Sequence, residues 1–362
     1  MSDLPRLRQE IDRLDDELLA LLNARARVSQ QIGQVKRSED PAAPVFRAER
    51  EAALLRRLEG ANPGPLPADA VSRIFHEVMS ASSALQRPIR AAYLGPAGTF
   101  SEQAMLRQFG HSAAGIACAS FDEAFRRAES GAADFAVVPV ENSTEGTVSR
   151  VLDLLLGSPL KVCAEVVLRV EQNLMRARAG MDGISKVYSH GQSLAQTREW
   201  LNRNLPGVDR VTVESNAEAA RLASLDPATA AVAGANAAAN FGLNILAANI
   251  EDDATNRTRF VVVGRNDSEP SGRDRTWLVM SAPNVAGGLV KLLSPFARHG
   301  VSMTKIESRP ARLASMPGSW EYMFYVDLEG HQRDAGLAAS LAELRGIAPY
   351  LKIFGSYPVG DY

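Results

Sequence analysis

The sequence reads as a multidomain chain in three parts: an all-α segment, a larger α/β segment and a small α+β segment. Three observations divide it. Residues 1–87 are rich in Leu, Arg and Glu, with Pro and Gly confined to two connectors. From Pro88 onward, short apolar runs alternate with helical stretches and Gly-rich turns, the pattern of a mostly parallel sheet. Residues 266–275 are polar with Gly and Pro and read as a linker, and the elements after them fall in the order βαββαβ. The domains are therefore expected at 1–87, 89–266 and 275–357.

The first segment predicts three helices. Leu4, Leu7, Ile11, Leu14, Leu18, Leu21, Arg25, Val28, Ile32 and Val35 recur at spacings of 3 and 4, an a/d row over nearly five heptads. At about 1.5 Å per residue this helix is roughly 50 Å long. That exceeds any core 87 residues can build alone, so it needs a partner helix, and an intertwined dimer is the simplest supply. Further helices are expected at 47–58 and 68–86. The last carries Val71, Ile74, Phe75, Val78 and Met79 on one face.

In the middle segment, buried strands are expected at 89–94, 135–139, 162–170, 186–189, 210–213, 230–233 and 259–263. Helices are expected at 101–109, 120–130, 146–156, 193–204, 215–224 and 234–240. This is one large sheet or two lobes around a cleft. In the last segment, strands at 276–282, 301–309, 319–327 and 350–354 and helices at 287–299 and 333–345 make the ferredoxin-like unit.

Composition excludes several classes. The 362 residues carry 40 basic and 42 acidic side chains, a formal net charge of −2, so no global field favours nucleic acid or a membrane surface. No run of about 18 apolar residues exists to span a bilayer, and residues 1–9 form no secretory signal. Cys118 and Cys163 are far apart, with neither metal spacing nor a disulfide framework, and read as core residues of a cytoplasmic protein. The five histidines show no ligand spacing, so no metal and no cofactor is expected.

Arg25 interrupts the apolar row. Lys36 lies eleven residues on, three turns plus about 20°, and points the same way. Arg8 lies seventeen residues before Arg25 and about 100° around, so it suits a partner's pocket rather than its own. The second helix adds Arg47, Arg50 and Glu51, and the third adds Ser82 and Gln86 at i,i+4. The sum is a mostly cationic pocket within a bundle, fitted to a small dianion, since the arginine fork binds both carboxylate oxygens.

These residues carry a resemblance. The string Leu-Arg-Gln-Glu-Ile-Asp-Arg-Leu-Asp (7–15), then Leu-Leu-Ala-Leu-Leu ahead of Arg25, Ile-Gly-Gln-Val-Lys (32–36) and Val-Phe-Arg-Ala-Glu-Arg-Glu (45–51), resembles the all-helical chorismate mutases over nearly all of 4–87. The resemblance implies a domain-swapped dimer that isomerises chorismate to prephenate. It implies that Arg25 and the other subunit's Arg8 hold the carboxylates, and that Lys36 and Gln86 address the ether oxygen. Glu51 takes the ring hydroxyl and Ser82 lies near a carboxylate. Arg47 stands where some of these mutases carry an acid, so its contact comes from backbone or side chain. The chemistry agrees: a [3,3] rearrangement needs no nucleophile and no proton transfer, only positioning and preorganised cations.

Four polar clusters sit at strand ends of the α/β segment: Gly-Pro-Ala-Gly-Thr-Phe-Ser (95–101), Val-Pro-Val-Glu-Asn-Ser-Thr-Glu-Gly (138–146), Ser-His-Gly-Gln-Ser (189–193) and Asn-Arg-Thr-Arg-Phe (256–260). Each alone is turn and cap chemistry, with Ser101 expected as an N-cap. Four at one end of an α/β unit suggest one site. The first lacks the phosphate-loop lysine and the G-x-G-x-x-G spacing, so no nucleotide is expected. His190 reads as packed and hydrogen-bonded.

Together the clusters resemble the prephenate dehydratases over about 90–265. The resemblance implies two periplasmic-binding-protein-like lobes around a cleft, and conversion of prephenate to phenylpyruvate, CO2 and water. Thr258 becomes the essential hydroxyl, which donates or orients a proton toward the leaving hydroxyl. Arg259 holds a carboxylate or shapes the site, and Thr99, Ser101, Asn142, Ser143, Ser189 and Gln192 line the cleft.

The last segment carries no acid–base or nucleophile cluster. Its signals are Asn284, Val285, Ala286, Gly287, Gly288, Leu289 and Val290 at a strand-to-helix turn, and Glu307, Ser308, Arg309 and Pro310 at a strand end. With the order of elements they resemble the amino-acid-binding ACT domain, which implies phenylalanine bound at a dimer interface as feedback inhibitor. The usual Pro-Gly-Ala-Leu is Ala286-Gly287-Gly288-Leu289 here, a more flexible turn. The expected whole is a bifunctional mutase and dehydratase under phenylalanine control, at least dimeric. Two alternatives stand beside it: a dehydratase with an inert helical arm, and a non-catalytic ligand-responsive binding protein.

Overall fold

The structure, a computed structural model, describes residues 3–40, 46–282, 285–310 and 322–360. It divides into two compact units, residues 1–89 with 109–114, and the remainder.

The first unit is helical: α1 (Leu4–Glu39), α2 (Ala48–Ala61) and α3 (Ala68–Ala84). A proline at the start of α1 suits the donor-free first turn, and Lys36 and Arg37 suit the dipole at its end. Gly33 is its one buried residue, and a Cβ there would lie 2.8 Å from Gln86 Cγ. The absent side chain lets α1 approach the end of α3. The apolar row is bare: Leu7, Ile11, Leu14, Leu18 and Leu21 are all exposed, Leu21 by 68%.

The second unit begins with β1 (Arg90–Leu94), α4 (Phe100–Phe109), β2 (Ala114–Cys118), α5 (Phe121–Ser130), β3 (Phe135–Asn142), β4 (Gly146–Thr147), α6 (Ser149–Gly157) and β5 (Lys161–Arg169). The chain then crosses into a second lobe. This holds β6 (Asn173–Arg176), β7 (Lys186–His190), α7 (Gly191–Gln196), α8 (Arg198–Asn204), β8 (Asp209–Val213), α9 (Asn216–Leu225), β9 (Thr229–Ala233), α10 (Ala235–Phe241) and β10 (Asn244–Ala247). Strand β11 (Arg257–Gly264) returns to the first lobe. The sheets run β2-β1-β3-β11-β5 and β10-β6-β9-β7-β8. Two lobes joined by two crossings are the periplasmic-binding-protein-like arrangement.

The expectation of a mostly parallel sheet is corrected: both sheets are mixed. β1 runs parallel to β3, and β7 to β8 and β9, but β11 is antiparallel to β3 and β5, and β6 to β9 and β10. A strand that enters a lobe through a short crossing starts at the cleft and must run away from it. The neighbours built by βαβ connections run toward it. Strands β2, β6 and β10 were not expected. β2 and β10 are edge strands with few buried residues, and β6 has only four residues. The expected helix at 193–204 is two helices, and 146–147 is strand rather than the start of α6.

The third domain comprises β12 (Asp274–Ala282), α11 (Gly288–Arg298), β13 (Met303–Pro310), β14 (Tyr322–Glu329), α12 (Ala335–Ile347) and β15 (Tyr350–Pro358). Its sheet, β13-β14-β12-β15, is antiparallel throughout. Period-2 alternation gives it two apolar faces. Leu278, Met280, Val326 and Leu328 pack on Leu292, Phe296, Leu341 and Leu344 of the helices. Trp277, Val279, Tyr325 and Phe354 join the core of the first lobe, with Val138, Leu152, Val162 and Val261. Gly355 makes the approach to β5 possible, because a Cβ there would collide with the Val162 carbonyl. Both cysteines are buried.

Candidate active sites

The helical unit holds a cavity of about 350 Å³ lined by Arg25, Lys36, Arg47, Arg50, Glu51, Ser82 and Gln86, with Ser29 and Ser83 and apolar side chains between. Six of the seven residues expected for this site therefore meet. Arg8 lies outside, exposed on α1. Arg25 donates to Ser82 Oγ at 2.6 Å, and Gln86 Nε2 to Ser29 Oγ at 2.8 Å. Ser29, which the sequence reading did not select, is one turn beyond Arg25 and was within reach of the same periodicity argument. Burial, with Arg47 and Arg50 nearby, lowers the Lys36 pKa. Burial pushes the Glu51 carboxyl up to about 8, against the pull of Arg25. The cavity can thus hold an anion against four cations beside a carboxyl that is neutral at pH 7.

A second cavity, about 690 Å³, lies between the two lobes. Thr99, Ser101, Asn142, Gln192 and Thr258 line it, as expected. Asn142 ends β3, Thr258 opens β11, and the two are paired across the ladder. Asn142 Nδ2 donates to Thr258 Oγ1 at 2.9 Å and to Asn256 Oδ1 at 3.0 Å, while Asn142 Oδ1 accepts from the Thr144 and Glu145 backbone N–H. The Thr258 hydroxyl thus accepts from Asn142, which leaves its own hydrogen for a ligand and polarises that O–H bond.

Two expected lining residues, Ser143 and Ser189, stand elsewhere, and so does Arg259. Ser143 is exposed; its Oγ donates to Asn256 Oδ1 and accepts from the Arg257 backbone, closing the β3–β11 end. Ser189 is fully buried beneath the cleft, donating to Asn216 Oδ1 and the Val232 carbonyl. Arg259 follows Thr258 and therefore points to the opposite face. There it binds Glu165 at 2.9 Å, Asp327 at 2.6 Å and Tyr357 Oη at 2.7 Å. Burial opposes its charge, but Tyr357, Asp327 and Glu165 hold its pKa above the usual value. Thr99 rather than Ser101 caps α4, accepting from the Glu102 N–H, because the helix begins at Phe100. His190, expected to be packed, is exposed at the cleft, with Nδ1 accepting from the Gln192 N–H.

The cleft also includes Ser193, the last residue of the third cluster, and Gln172, Gln196, Glu214 and Asn216, which the sequence reading did not select. Ser193 Oγ accepts from both Gln172 and Asn216. Residues 214–216 follow the end of β8, so the strand-end criterion that found the other clusters pointed here too.

In the third domain Asn284 lies outside the described residues. Gly287 has φ +74°, a conformation that favours glycine, and precedes α11. Strand alternation splits Glu307, Ser308, Arg309 and Pro310. Glu307 accepts from Thr147, and Arg309 reaches the Ser149 carbonyl and lies 3.5 Å from Asp153, so both face the first lobe. Ser308 and Pro310 are exposed on the other face with Ile306. Among the described residues, no group of three His, Cys, Asp or Glu could hold a metal, and no helix is long and apolar enough to cross a membrane.

Comparison with known proteins follows these three parts. The chorismate mutase type II family matches residues 7–87, prephenate dehydratase 91–268 and the ACT domain 276–346. The bifunctional chorismate mutase/prephenate dehydratase of Neisseria gonorrhoeae is 49% identical over 97% of this chain and 96% of its own. A prephenate dehydratase from Arthrobacter aurescens, solved in complex with L-Phe, is 35% identical with a TM-score of 0.67, over 75% of this chain and 90% of that one. GqqA, described as a novel type of quorum quenching acylase, is 30% identical with a TM-score of 0.68, over 75% of this chain and 98% of its own. Identity near one half along almost the whole of both chains, with two unlike cavities in their places, makes this chain a member of the bifunctional chorismate mutase/prephenate dehydratase family.

Proposed function

We propose that the two cavities perform successive steps, chorismate to prephenate in the helical unit and prephenate to phenylpyruvate in the cleft, under feedback by L-phenylalanine. The observation that carries the reading is the contrast between them. One is cationic with neither His nor Cys in its lining, and the other centres on a polarised hydroxyl.

In the first, Arg25, with Arg8 of a second copy, holds the dicarboxylate in a chair-like conformer. Lys36 and Gln86 stabilise the negative charge that grows on the ether oxygen as the C–O bond breaks. Glu51 takes the ring hydroxyl, and Ser82 fixes Arg25. The bare leucine row of α1 is the surface a second copy would cover, so the chain acts as a dimer at least.

In the cleft, Thr258 delivers its proton to the C4 hydroxyl, which leaves as water, and the Thr258 oxygen, held by the Asn142 amide, regains a proton from solvent. The electron pair of the breaking C–COO⁻ bond enters the ring and CO2 departs. Aromatisation supplies much of the driving force, so a weak acid suffices when Asn142 polarises it. Phenylalanine is the effector of the C-terminal domain, the N-terminus of α11 taking its carboxylate. The likeness to an acylase does not favour hydrolysis through the cleft thiol, because Cys118 is buried and burial, with Glu123 nearby, raises its pKa. Two buried cysteines, a mixed-sign surface and these small-molecule substrates fit a cytoplasmic enzyme.

The test follows chorismate loss and phenylpyruvate formation separately on the full chain. Thr258→Ala must accumulate prephenate, and Arg25→Leu must stop chorismate loss while added prephenate is still converted. Retained phenylpyruvate formation in Thr258→Ala overturns the cleft assignment. Retained chorismate loss in Arg25→Leu makes the helical unit an arm.

A further inference from the structure

The face of β3 and β11 opposite the cleft carries a second matched pair. Thr258 pairs with Asn142, and the next rung pairs Arg259 with Glu141. On the regulatory sheet, Lys305 of β13 pairs with Asp327 of β14. These two rungs meet. Lys305 Nζ lies 2.9 Å from Glu141 Oε2, and Arg259 Nη1 lies 2.6 Å from Asp327 Oδ2. A third link lies beside them, where Thr147 of β4 donates to Glu307, and β4 itself pairs with Glu141 and Asn142. We propose that Lys305 and Asp327 are positioning residues of the dehydratase reaction: a cross-strand pair on the regulatory sheet that holds the cross-strand pair Glu141 and Arg259, and through it the Thr258–Asn142 pair one residue away.

Three features make this a positioning device. The β3–β11 register shifts between Arg259 and Phe260 because β3 carries Val140 as an extra residue, so the bulge lies on β3 next to Glu141 and Asn142, the residue that holds Thr258, while β11 stays in register with β5 from Arg257 to Val262. At a bulge the backbone direction depends on local anchors: Glu141, held by Lys305, flanks it on β3, and Arg259, held by Asp327, is the anchor opposite it on β11. That anchor is stiff, because Arg259 is 10% exposed and Asp327 3%, and charge-assisted bonds in such surroundings are strongly directional. It is also exact in its demand: one oxygen of Asp327 takes Arg259, while the other, also buried, has no hydrogen-bond partner. A pair of apolar side chains would join the two sheets as firmly, since buried ion pairs cost about as much to desolvate as they return. What the ionic rungs add is a defined register between the regulatory sheet and the catalytic strands. This inference rests on the reading of Thr258 as the reacting hydroxyl and of phenylalanine as effector. It names the contacts by which a shift of the regulatory sheet moves Thr258.

The experiment uses the full chain with Lys305→Met, Asp327→Asn, Glu141→Gln and the Glu141→Gln/Lys305→Met double variant. Measured are kcat and KM for prephenate, mutase turnover in the same samples, phenylalanine binding by calorimetry and phenylalanine inhibition. Displacement of the reacting group predicts a fall in kcat of about tenfold, with KM within about twofold. Mutase turnover is unchanged, phenylalanine still binds, and the residual dehydratase activity no longer responds to it. The double variant is no slower than the worse single variant, because both remove one interaction. Wild-type kcat with undiminished inhibition in Lys305→Met and Asp327→Asn overturns the proposal, as does an effect confined to KM or strict additivity in the double variant. Lys305 is about one-third exposed, so its variant decides the matter where Asp327→Asn fails to fold. If phenylalanine neither binds nor inhibits the wild type, the effector reading fails, while the kcat comparison still decides the positioning role.

Discussion

Asn142 donates its side-chain amide to the Thr258 hydroxyl at 2.9 Å, from the position directly opposite on the neighbouring strand. Asn142 is itself held by two backbone N–H donors on its carbonyl oxygen and by Asn256. The hydroxyl proposed to react is therefore held by an amide that is itself fixed on both sides.

Removing that amide should separate orientation from the hydroxyl itself. Asn142→Ala lowers dehydratase kcat by about 10²-fold, the order expected when a reacting group is misplaced by about 1 Å. Thr258→Ser keeps measurable turnover and Thr258→Val abolishes it. Steady-state phenylpyruvate formation from prephenate reads all three, with chorismate loss as an internal control that stays at the wild-type rate.

Gly33 tests the mutase cavity from behind. A Cβ there would sit 2.8 Å from Gln86 Cγ and 3.1 Å from its Cβ, close to the base of the side chain, where it cannot simply swing away. Gly33→Ala improves helix propensity by about 1 kcal/mol, so α1 survives while Gln86 is displaced. The expected result is at least about tenfold lower kcat/KM for chorismate, the scale of a lost transition-state contact, with dehydratase kinetics unchanged.

Glu51 predicts a pH limb. Its carboxyl titrates near 8 in the fold against the ordinary value of 4.5. The folded state therefore holds the proton that the unfolded chain releases between these values. The stability this contributes is complete below pH 4.5 and is lost as pH rises through about 8. Ionisation also puts a negative charge beside a dianionic substrate, so mutase kcat/KM falls as pH rises through the same range. Glu51→Gln removes this limb, which a pH–rate profile of chorismate loss from pH 6 to about 9.5 detects.

Arg259 should be needed for stability as well as for placement. Arg259→Met leaves Glu165 and Asp327 buried, with Arg275 the remaining cation at Glu165. Breaking a buried ion pair from one side costs about 3–5 kcal/mol. Thermal unfolding of the variant should show a lowered transition for the dehydratase–ACT unit. An unshifted transition would mean that the network carries no stability.

The a/d row with its polar interruptions, the strand-end clusters and the βαββαβ order were legible in the sequence, because each depends on local periodicity or on turn chemistry. Arg25, Lys36, Gln86, Thr258 and Asn142 were found by such patterns. Of the two roles read for Arg259, holding a carboxylate does not fit its position, because alternation along a strand turns it to the face opposite the cleft, and shaping the site is the role that position allows. Ser189 was misread, since its partners Asn216 and Val232 come from elements distant in the chain. β2, β6 and β10 escaped because short strands carry few side chains that must be buried.

The sequence by itself determined the three-part order, the helical and strand periods, and the residue types each cavity presents, since backbone propensity and apolar spacing act over a few residues. Tertiary structure alone decided the direction of β6 and β11, which depends on where the crossings enter each lobe. It alone set the charged rungs that tie Lys305 and Asp327 to the strands bearing Thr258. Those contacts join residues up to 164 positions apart, from Glu141 to Lys305, and no local pattern encodes a register between two sheets.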